Sequence, residues 1–282
     1  MFITNEPAMF IDVKKARYLL IGDLHLGITS ELRRKGITMQ SQVSSFVSRI
    51  KTLKKKTKAA NLILIGDVKH KPQGISWQEE REIPLFLAEL SKIFRKIIIV
   101  KGNHDGNIEK LVKLANNYSD LQNNYNKIAK AVSHDNKIKV RKSFVIGEYF
   151  ITHGHRKIKP SKKIKIVVMA HNQPAIMLRD RSGATYVLPC WVRGMYNINS
   201  KTAKAVSCCK GKYNISFLDK INDFRRKSFC YDKELIIIPA FNPLSGHMIV
   251  NIDELLGPIA KKMINGRVYL LDGTDMGSII DL

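Results

Sequence analysis

Residues 18–25 read YLLIGDLH, an apolar run that stops at a glycine and continues into an aspartate and a histidine. Leucine and isoleucine without polar alternation are typical of a β-strand that is covered on both faces. The pattern returns in LILIGDVKH (62–70), IIIVKGNHD (97–105), EYFITHGH (148–155) and IKIVVMAHNQ (164–173). The sequence therefore predicts buried strands with polar residues at their ends.

Helix-like segments separate the first three of these strands. Apolar side chains recur at helical spacing within residues 39–58 and 79–94. Strands that alternate with helices predict an α/β layered fold. The helical signal is thin after residue 175, where strands are predicted at 184–192, 235–240 and 268–271. Because no linker divides the chain, we expect a single domain of residues 1–282 with a sheet-rich second half.

Two polar stretches interrupt this pattern. Residues 116–126 (NNYSDLQNNYN) predict either a loop or an irregular continuation of a helix that starts near Ile108. Residues 200–233 form a possible basic insertion in which lysine and arginine alternate with tyrosine and phenylalanine. Such a segment can grip nucleic acid by phosphate contact and stacking. An amphipathic excursion that covers part of the core is the alternative, and we favour it.

The composition indicates a soluble protein with a polyanionic partner. The chain has 282 residues and a net charge of +24, and no apolar run approaches the ~20 residues that span a bilayer. A field of this sign attracts nucleic acid, although a lysine-enriched genome would also produce a solvated basic surface. Four cysteines without a regular framework (Cys190, Cys208, Cys209 and Cys230) predict reduced thiols, and with no secretion leader visible we expect a cytoplasmic location.

Six of the eight histidines lie just beyond a predicted strand. Side chains from several strands converge at the carboxyl ends of an α/β sheet, where ligands bind. Asp23 and His25 fall on the same side of an extended chain and can reach one ion. Asp67 has two oxygens with which to bridge two ions about 3.5–4 Å apart. The mixed oxygen and imidazole set favours Mn²⁺, with Fe or Zn²⁺ as alternatives.

The order of these motifs resembles the calcineurin-like metallophosphoesterases over residues 17–176. The motifs are Asp-x-His, Gly-Asp-x-x-His, Gly-Asn-His-Asp, His-Gly-His and a final turn that begins with histidine. Gly66–His70, His171–Ile176 and Ile238–Gly246 also resemble archaeal phosphoesterases related to SbcD, the nuclease subunit of a double-strand-break repair complex. The resemblance implies a β-sandwich flanked by helices that hydrolyses phosphoesters with two divalent ions.

The resemblance also implies a role for each motif residue. Asp23 and His25 would hold the first ion, Asp67 would bridge both ions, and Asn103, His153 and His171 would hold the second. The final motif departs from the family, because Gln173 stands where a histidine would complete the shell of the first ion. An amide oxygen is a poorer ligand than an imidazole, so Gln173 is predicted to be a weak or absent ligand.

Four further residues are expected to act on the substrate. His104 would protonate the leaving oxygen or stabilise developing negative charge, with Asp105 holding its ring. His70 would contact the phosphate. His155 would lie behind the metal ligands or face the phosphate, or else be a surface histidine.

Nuclease-like hydrolysis of phosphodiester bonds in DNA repair or processing is the leading functional prediction. One alternative is a small-molecule phosphodiesterase. Another is a metal-depleted, non-catalytic scaffold on the same fold, and a third is a DNA-binding accessory that acts through residues 200–233.

Overall fold

A computed structural model describes residues 1–125, 137–196 and 233–282, without the side chains of 118–125. No helix in these ranges is long and apolar enough to cross a membrane. The possible basic insertion at 200–233 lies outside the described residues except for Lys233, so its role stays a prediction, as does the single domain of residues 1–282.

The first sheet has five strands in chain order. They are β1 (Met9–Val13), β2 (Ala16–Gly22), β3 (Asn61–Ile65), β4 (Lys96–Val100) and β5 (Ile138–Arg141). β1 is antiparallel to β2, and the other pairs are parallel. The register aligns Gly22 with Ile65 and Ile65 with Val100, so the carboxyl ends of β2, β3 and β4 lie at the same edge of the sheet.

The second sheet contains nine strands among the described residues, in the order β12-β9-β10-β11-β8-β7-β6, with β13 pairing with β10 and β14 with β13. They are β6 (Phe144–Ile146), β7 (Tyr149–Thr152), β8 (Ile166–Met169), β9 (Pro174–Arg179), β10 (Thr185–Tyr196), β11 (Lys233–Ile237), β12 (Met248–Ile249), β13 (Met263–Leu270) and β14 (Asp275–Ser278). β7, β8 and β11 are parallel neighbours, which brings the ends of β7 and β8 to one edge.

Helices cover the outer face of the first sheet. They are α2 (Val43–Thr57), α3 (Trp77–Ile93) and α4 (Ile108–Tyr125). The short α1 (Ile28–Arg34) contributes no residue to that core cluster, and the short α5 (Gly257–Ala260) packs on the second sheet. Residues 116–125 belong to α4, so the loop alternative for this stretch is wrong. Its buried residues Ile108, Leu111, Val112 and Ala115 follow helical spacing against the core and carry the helix into the polar stretch.

Successive side chains along the strands face opposite sides of the first sheet, and this produces a layered core. Leu19 and Ile21 pack against the helices, whereas Leu20 faces the second sheet. Val168 and Ile236 of the second sheet belong to the same cluster as Leu20. Both faces of β2 are therefore buried, as predicted, and the α/β layered fold with two packed sheets is confirmed.

Cys190 lies within β10 and is a free thiol among the described residues. Burial raises the pKa of its thiol to about 12. Cys208, Cys209 and Cys230 lie outside the described residues, so the reduced state of the four cysteines stays a prediction.

Candidate metal centre

The predicted ligands meet at the common edge of the two sheets. Asp23, Asp67 and Asn103 follow the ends of β2, β3 and β4, and His153 and His171 follow β7 and β8. Three groups of side chains could each hold an ion, because the ligand atoms within each group lie within 4.8 Å of one another. These groups are Asp23, His25 and Asp67; Asp67, His153 and His171; and His25, His70 and His104.

The backbone at this edge is held in an unfavourable conformation. Five non-glycine residues have a positive φ: Asp23 (51°), His25 (44°), Asp67 (45°), His171 (72°) and Gln173 (47°). Each such residue costs about 1 kcal/mol or more, and such strain persists where surrounding structure enforces it. Strain at consecutive strand ends is typical of a functional site.

Two glycines leave space for the ligand side chains. A Cβ atom at Gly66 would overlap the ring of His153, and one at Gly102 would overlap the carboxylate of Asp67. Gly66 also has a φ of 73°, a backbone conformation that residues with a side chain rarely adopt. The glycines of the strand-end motifs are therefore required by close packing around the ligands.

Asp67 occupies the middle of the centre. Its Oδ2 atom lies 3.7 Å from Nε2 of His25 and 3.3 Å from Nε2 of His153. Its Oδ1 atom accepts a hydrogen bond of 2.9 Å from the backbone N–H of His104. Ligand atoms that each lie about 2.1 Å from one ion are roughly 3–3.5 Å apart, so this spacing suits a carboxylate between two cations.

The His153 ring is held with Nε2 toward the other ligands. Nδ1 lies 3.2 Å from the carbonyl oxygen of Ile65 and donates to it, while Nε2 lies 3.1 Å from Oδ1 of Asn103. Burial acts to lower the pKa of His153, but the carboxylates of Asp67 and Asp23 outweigh burial and raise it to about 9. The proton on His153 thus offsets the negative charge of these two carboxylates. A bound cation would offset the same charge in place of the proton.

Burial keeps the imidazoles of His25, His155 and His171 neutral at pH 7, because it lowers the pKa of each. Burial lowers the pKa of His25 to about 3, and burial with the charge of His153 lowers the pKa of His171 to about 4. Burial likewise lowers the pKa of His155 to about 4. Metal ligation requires unprotonated nitrogen, so these rings can serve as ligands at neutral pH.

Several buried polar atoms at the centre have no hydrogen-bond partner among the described residues. They include Oδ1 of Asp23, Nδ1 of His25, Nδ1 of His70 and both ring nitrogens of His155. Buried polar atoms without partners are rare and call for an explanation. A cation beside Asp23 would satisfy its free oxygen, so the residues fit a metal site.

Gln173 lies at the first ion's side of the centre. Its amide oxygen lies 2.8 Å from Nε2 of His25, and its NH₂ group donates to the carbonyl oxygen of Ser245 at 2.8 Å. The neighbouring Asn242 donates to the carbonyl oxygen of Leu24 at 2.8 Å and so holds the segment that carries Ser245 beside β2. The sequence singled out Ile238–Gly246 as a motif but assigned it no role.

The structure corrects the expectation that Asp105 holds the ring of His104. The buried Asp105 carboxylate accepts backbone N–H groups of Val68 (2.9 Å), Lys69 (3.2 Å) and Gly102 (2.8 Å). The ring of His104 contacts the carbonyl oxygen of His70 through Nδ1. Asp105 therefore joins two ligand-bearing loops, because a buried carboxylate between N–H groups satisfies several donors at once.

His70 and His155 lie at opposite sides of the ligand set. His70 has its ring centroid 5.5 Å from that of His25, and its Nε2 lies 2.8 Å from a carboxylate oxygen of Glu31. The ring of His155 lies 5.3 Å from that of His153 and 6.2 Å from that of His171. Glu31 was missed because nothing in its local sequence indicates a partner 39 residues away.

The comparisons with known proteins agree with this geometry at the level of the family. The model of the calcineurin-like phosphoesterases matches residues 16–248. The chain is also similar to the crystal structure of Pseudomonas putida nuclease MPE, with 16% identity, a TM-score of 0.48 and coverage of 94% of this chain and 97% of that one. No curated protein shows a significant match.

The match spans most of the chain and includes every predicted metal ligand. Members of the matched family typically bind two divalent metal ions. The chain therefore belongs to the calcineurin-like phosphoesterases, which are hydrolases that act on phosphoester bonds.

Proposed function

We propose that this chain is a two-metal nuclease that hydrolyses phosphodiester bonds in nucleic acid during DNA repair or processing. The observation that carries the proposal is the position of Asp67, whose Oδ2 atom lies 3.7 Å from His25 and 3.3 Å from His153. One carboxylate between two imidazoles suits a pair of adjacent cations. The SbcD-like motifs within the family support the nuclease assignment.

The ligands divide into two sets around Asp67. Asp23 and His25 hold the first ion with Gln173 as a weak ligand, and Asn103, His153 and His171 hold the second. Oxygen and imidazole ligands together suit Mn²⁺, with Fe or Zn²⁺ as alternatives. When bound, two such ions supply Lewis acidity and lower the pKa of water toward neutrality.

Three further histidines, His104, His70 and His155, act on the phosphate. The Nδ1–H of His104 donates to the carbonyl oxygen of His70, which leaves Nε2 to face the leaving oxygen. His70 contacts a non-bridging oxygen, with Glu31 fixing its ring. His155 lies beside the second ion's ligands, and neither ring nitrogen has a hydrogen-bond partner among the described residues, so its one N–H can donate to the phosphate.

Charge supports a nucleic acid substrate. The net charge of +24 favours capture of a polyanion over that of a small phosphodiester. A cytoplasmic location is in keeping with this substrate and stays a prediction.

Hydrolysis of bis-p-nitrophenyl phosphate with added Mn²⁺ tests the chemistry. We expect turnover by the wild-type chain, loss of turnover in Asp67→Asn, and wild-type turnover in Asp272→Asn, which changes an exposed carboxylate in the β13–β14 turn. A panel of single-stranded DNA, duplex DNA, RNA and small phosphodiesters then tests the substrate. Metal binding without turnover on any substrate would indicate a scaffold, and turnover confined to small esters would exclude the nuclease.

A further inference from the structure

The loop between β7 and β8 carries a series of exposed cations, and its first part leaves the metal centre at His153 and His155. This β7–β8 loop comprises residues 153–165, reads HGHRKIKPSKKIK and contains no acidic residue. Six of its basic side chains are exposed, namely Lys165 and the five cations Arg156, Lys157, Lys159, Lys162 and Lys163.

These five cations have no ion-pair partner within the described ranges, whereas Lys165 in the same loop pairs with Glu148 at 2.9 Å. Elsewhere in the described chain, exposed lysines such as Lys35, Lys92 and Lys110 do pair with nearby glutamates. Cations without acidic partners leave a local positive field that attracts an anion.

Apolar residues between the cations fix the loop on the second sheet. Pro160 and Ile164 are buried, and the partly buried Ile158 packs against the same core cluster as Ile164. The backbone N–H of Ile164 donates to Ser161 at 3.1 Å, and the buried Lys233 ammonium donates to the carbonyl oxygen of Ile164 at 2.8 Å. The cations therefore project from an anchored loop.

The loop begins inside the metal centre. His153 is a proposed ligand, and the His155 ring lies 6.2 Å from that of His171. Arg156 comes next in the chain. Lys159 follows His155 by four residues, so its Cα lies within about 14 Å of that of His155 even if the loop is fully extended. This reach corresponds to a few nucleotides on either side of a bound phosphate.

We propose that residues 155–159 of the β7–β8 loop are the surface that binds the nucleic acid backbone flanking the scissile phosphate. This inference rests on the proposed nuclease function and names the part of the chain that holds its substrate. The contacts are with phosphates and therefore do not depend on base sequence. The high net charge alone would not single out this loop, so the test compares it with equal charge elsewhere.

The test is a triple variant of the exposed cations that directly follow His155, Arg156→Gln, Lys157→Gln and Lys159→Gln, in an Asp67→Asn background so that binding is measured without turnover. The matched control is Lys51→Gln, Lys55→Gln and Lys56→Gln, three exposed lysines on α2. The end of α2 precedes β3 and so lies at the edge of the sheet opposite the metal centre. Circular dichroism and melting temperature check that both variants fold.

Fluorescence anisotropy with a labelled 20-nucleotide single strand is measured at several salt concentrations. Each lost phosphate contact lowers the slope of log K against log salt by about 0.7 for a single strand. We expect the loop variant to lose about 2 from this slope. The α2 variant and a charge-preserving loop variant, Arg156→Lys, Lys157→Arg and Lys159→Arg, keep the slope of the Asp67→Asn parent. Equal loss in both glutamine variants, or no loss in the loop variant, would overturn the inference.

The DNA-binding test of the loop and the hydrolysis test of the proposed function can fail independently of each other. A chain that hydrolyses bis-p-nitrophenyl phosphate but binds DNA equally well without the three loop cations keeps its hydrolase function and loses this inference. A chain that binds DNA through the loop but hydrolyses no phosphoester keeps the loop surface and loses the proposed nuclease function.

Discussion

Gln173 is the residue at which this chain differs from the metal-site pattern that its motifs resemble. Its amide oxygen lies at hydrogen-bond distance from His25, and its NH₂ group is tied to Ser245. The side chain therefore reaches the position of a ligand but offers an amide oxygen in place of an imidazole. An amide oxygen binds Mn²⁺ or Zn²⁺ less strongly than imidazole nitrogen does.

Gln173→His is expected to tighten binding of the first ion by about tenfold or more, because it adds an imidazole beside His25 and Asp67. Titration calorimetry with Mn²⁺ gives both the affinity and the number of ions. His171→Gln, the reverse change on a proposed second-ion ligand, serves as the matched control and should weaken binding. Unchanged affinity and unchanged activity in Gln173→His would count against Gln173 as the limiting ligand.

Glu31 is a second residue with a testable role, as the partner that fixes the ring of His70. Glu31→Ala is expected to lower kcat for bis-p-nitrophenyl phosphate about tenfold, because loss of an orienting partner typically costs that much. Lys35→Ala removes the exposed partner on the other side of Glu31 and should leave kcat unchanged. Glu31→Gln should restore part of the loss, since it retains a hydrogen bond to His70. Equal kcat in all variants would exclude a positioning role.

The residues of the metal centre could be predicted only where the local sequence pattern indicates them. Asp23, Asp67 and His171 each follow an apolar run, so their convergence follows from strand order. Glu31 and Ser245 are brought to the site by contacts across 39 and 72 residues. No local pattern indicates Glu31, and Ser245 lies in the motif Ile238–Gly246, whose role the sequence did not reveal. Asp105 was predicted to act on a neighbouring ring because sequence shows adjacency, whereas its carboxylate points back into the backbone of two loops.

At the scale of elements, long apolar segments were predicted within a few residues, and short ones were missed. The strand predicted at 18–22 is β2 at Ala16–Gly22, and the helix predicted within 39–58 is α2 at Val43–Thr57. The seven-residue α1 has no apolar period long enough to detect. In α4 the buried face of its first turns outweighs the weak helix propensity of asparagine.

The start of α3 supports the loop that carries Asp67 and His70. The buried carboxylate of Glu79 accepts backbone N–H groups of Lys71 and Ser76, each at 2.6 Å, and completes a capping box with Ser76. Glu79→Ala is expected to lower the free energy of unfolding by about 2 kcal/mol or more, because both donors lose their acceptor.

The control for Glu79→Ala is the adjacent Glu80→Ala. Glu80 is exposed and pairs with Lys110 at 2.8 Å, so its loss should cost less than about 1 kcal/mol. Urea denaturation followed by circular dichroism measures both. Equal destabilisation by the two variants would show that the capping box does not hold this loop.

At the scale of the whole molecule, the layered fold was predictable and the strand order of the second sheet was not. Alternating strands and helices predict the first sheet in chain order. The order β12-β9-β10-β11-β8-β7-β6 depends on pairings such as β8 with β11, which join residues almost 70 positions apart. These pairings bring His153 and His171 to the edge where Asp23 and Asp67 lie, so the metal centre exists only when both sheets have formed.

Metal binding should therefore stabilise the entire fold. The ligands come from both sheets, so the unfolded chain has no assembled site, and an ion that binds only the folded chain raises its stability. At a free Mn²⁺ concentration of 100 Kd the gain is about 2.7 kcal/mol, which corresponds to a rise in Tm of roughly 5–10 °C for a chain of this size. Thermal denaturation with Mn²⁺ and with a chelator measures the difference. Asp67→Asn should lose most of the shift and Asp272→Asn should retain it, whereas an unchanged wild-type Tm with Mn²⁺, Zn²⁺ and Fe²⁺ would contradict a metal centre shared by the two sheets.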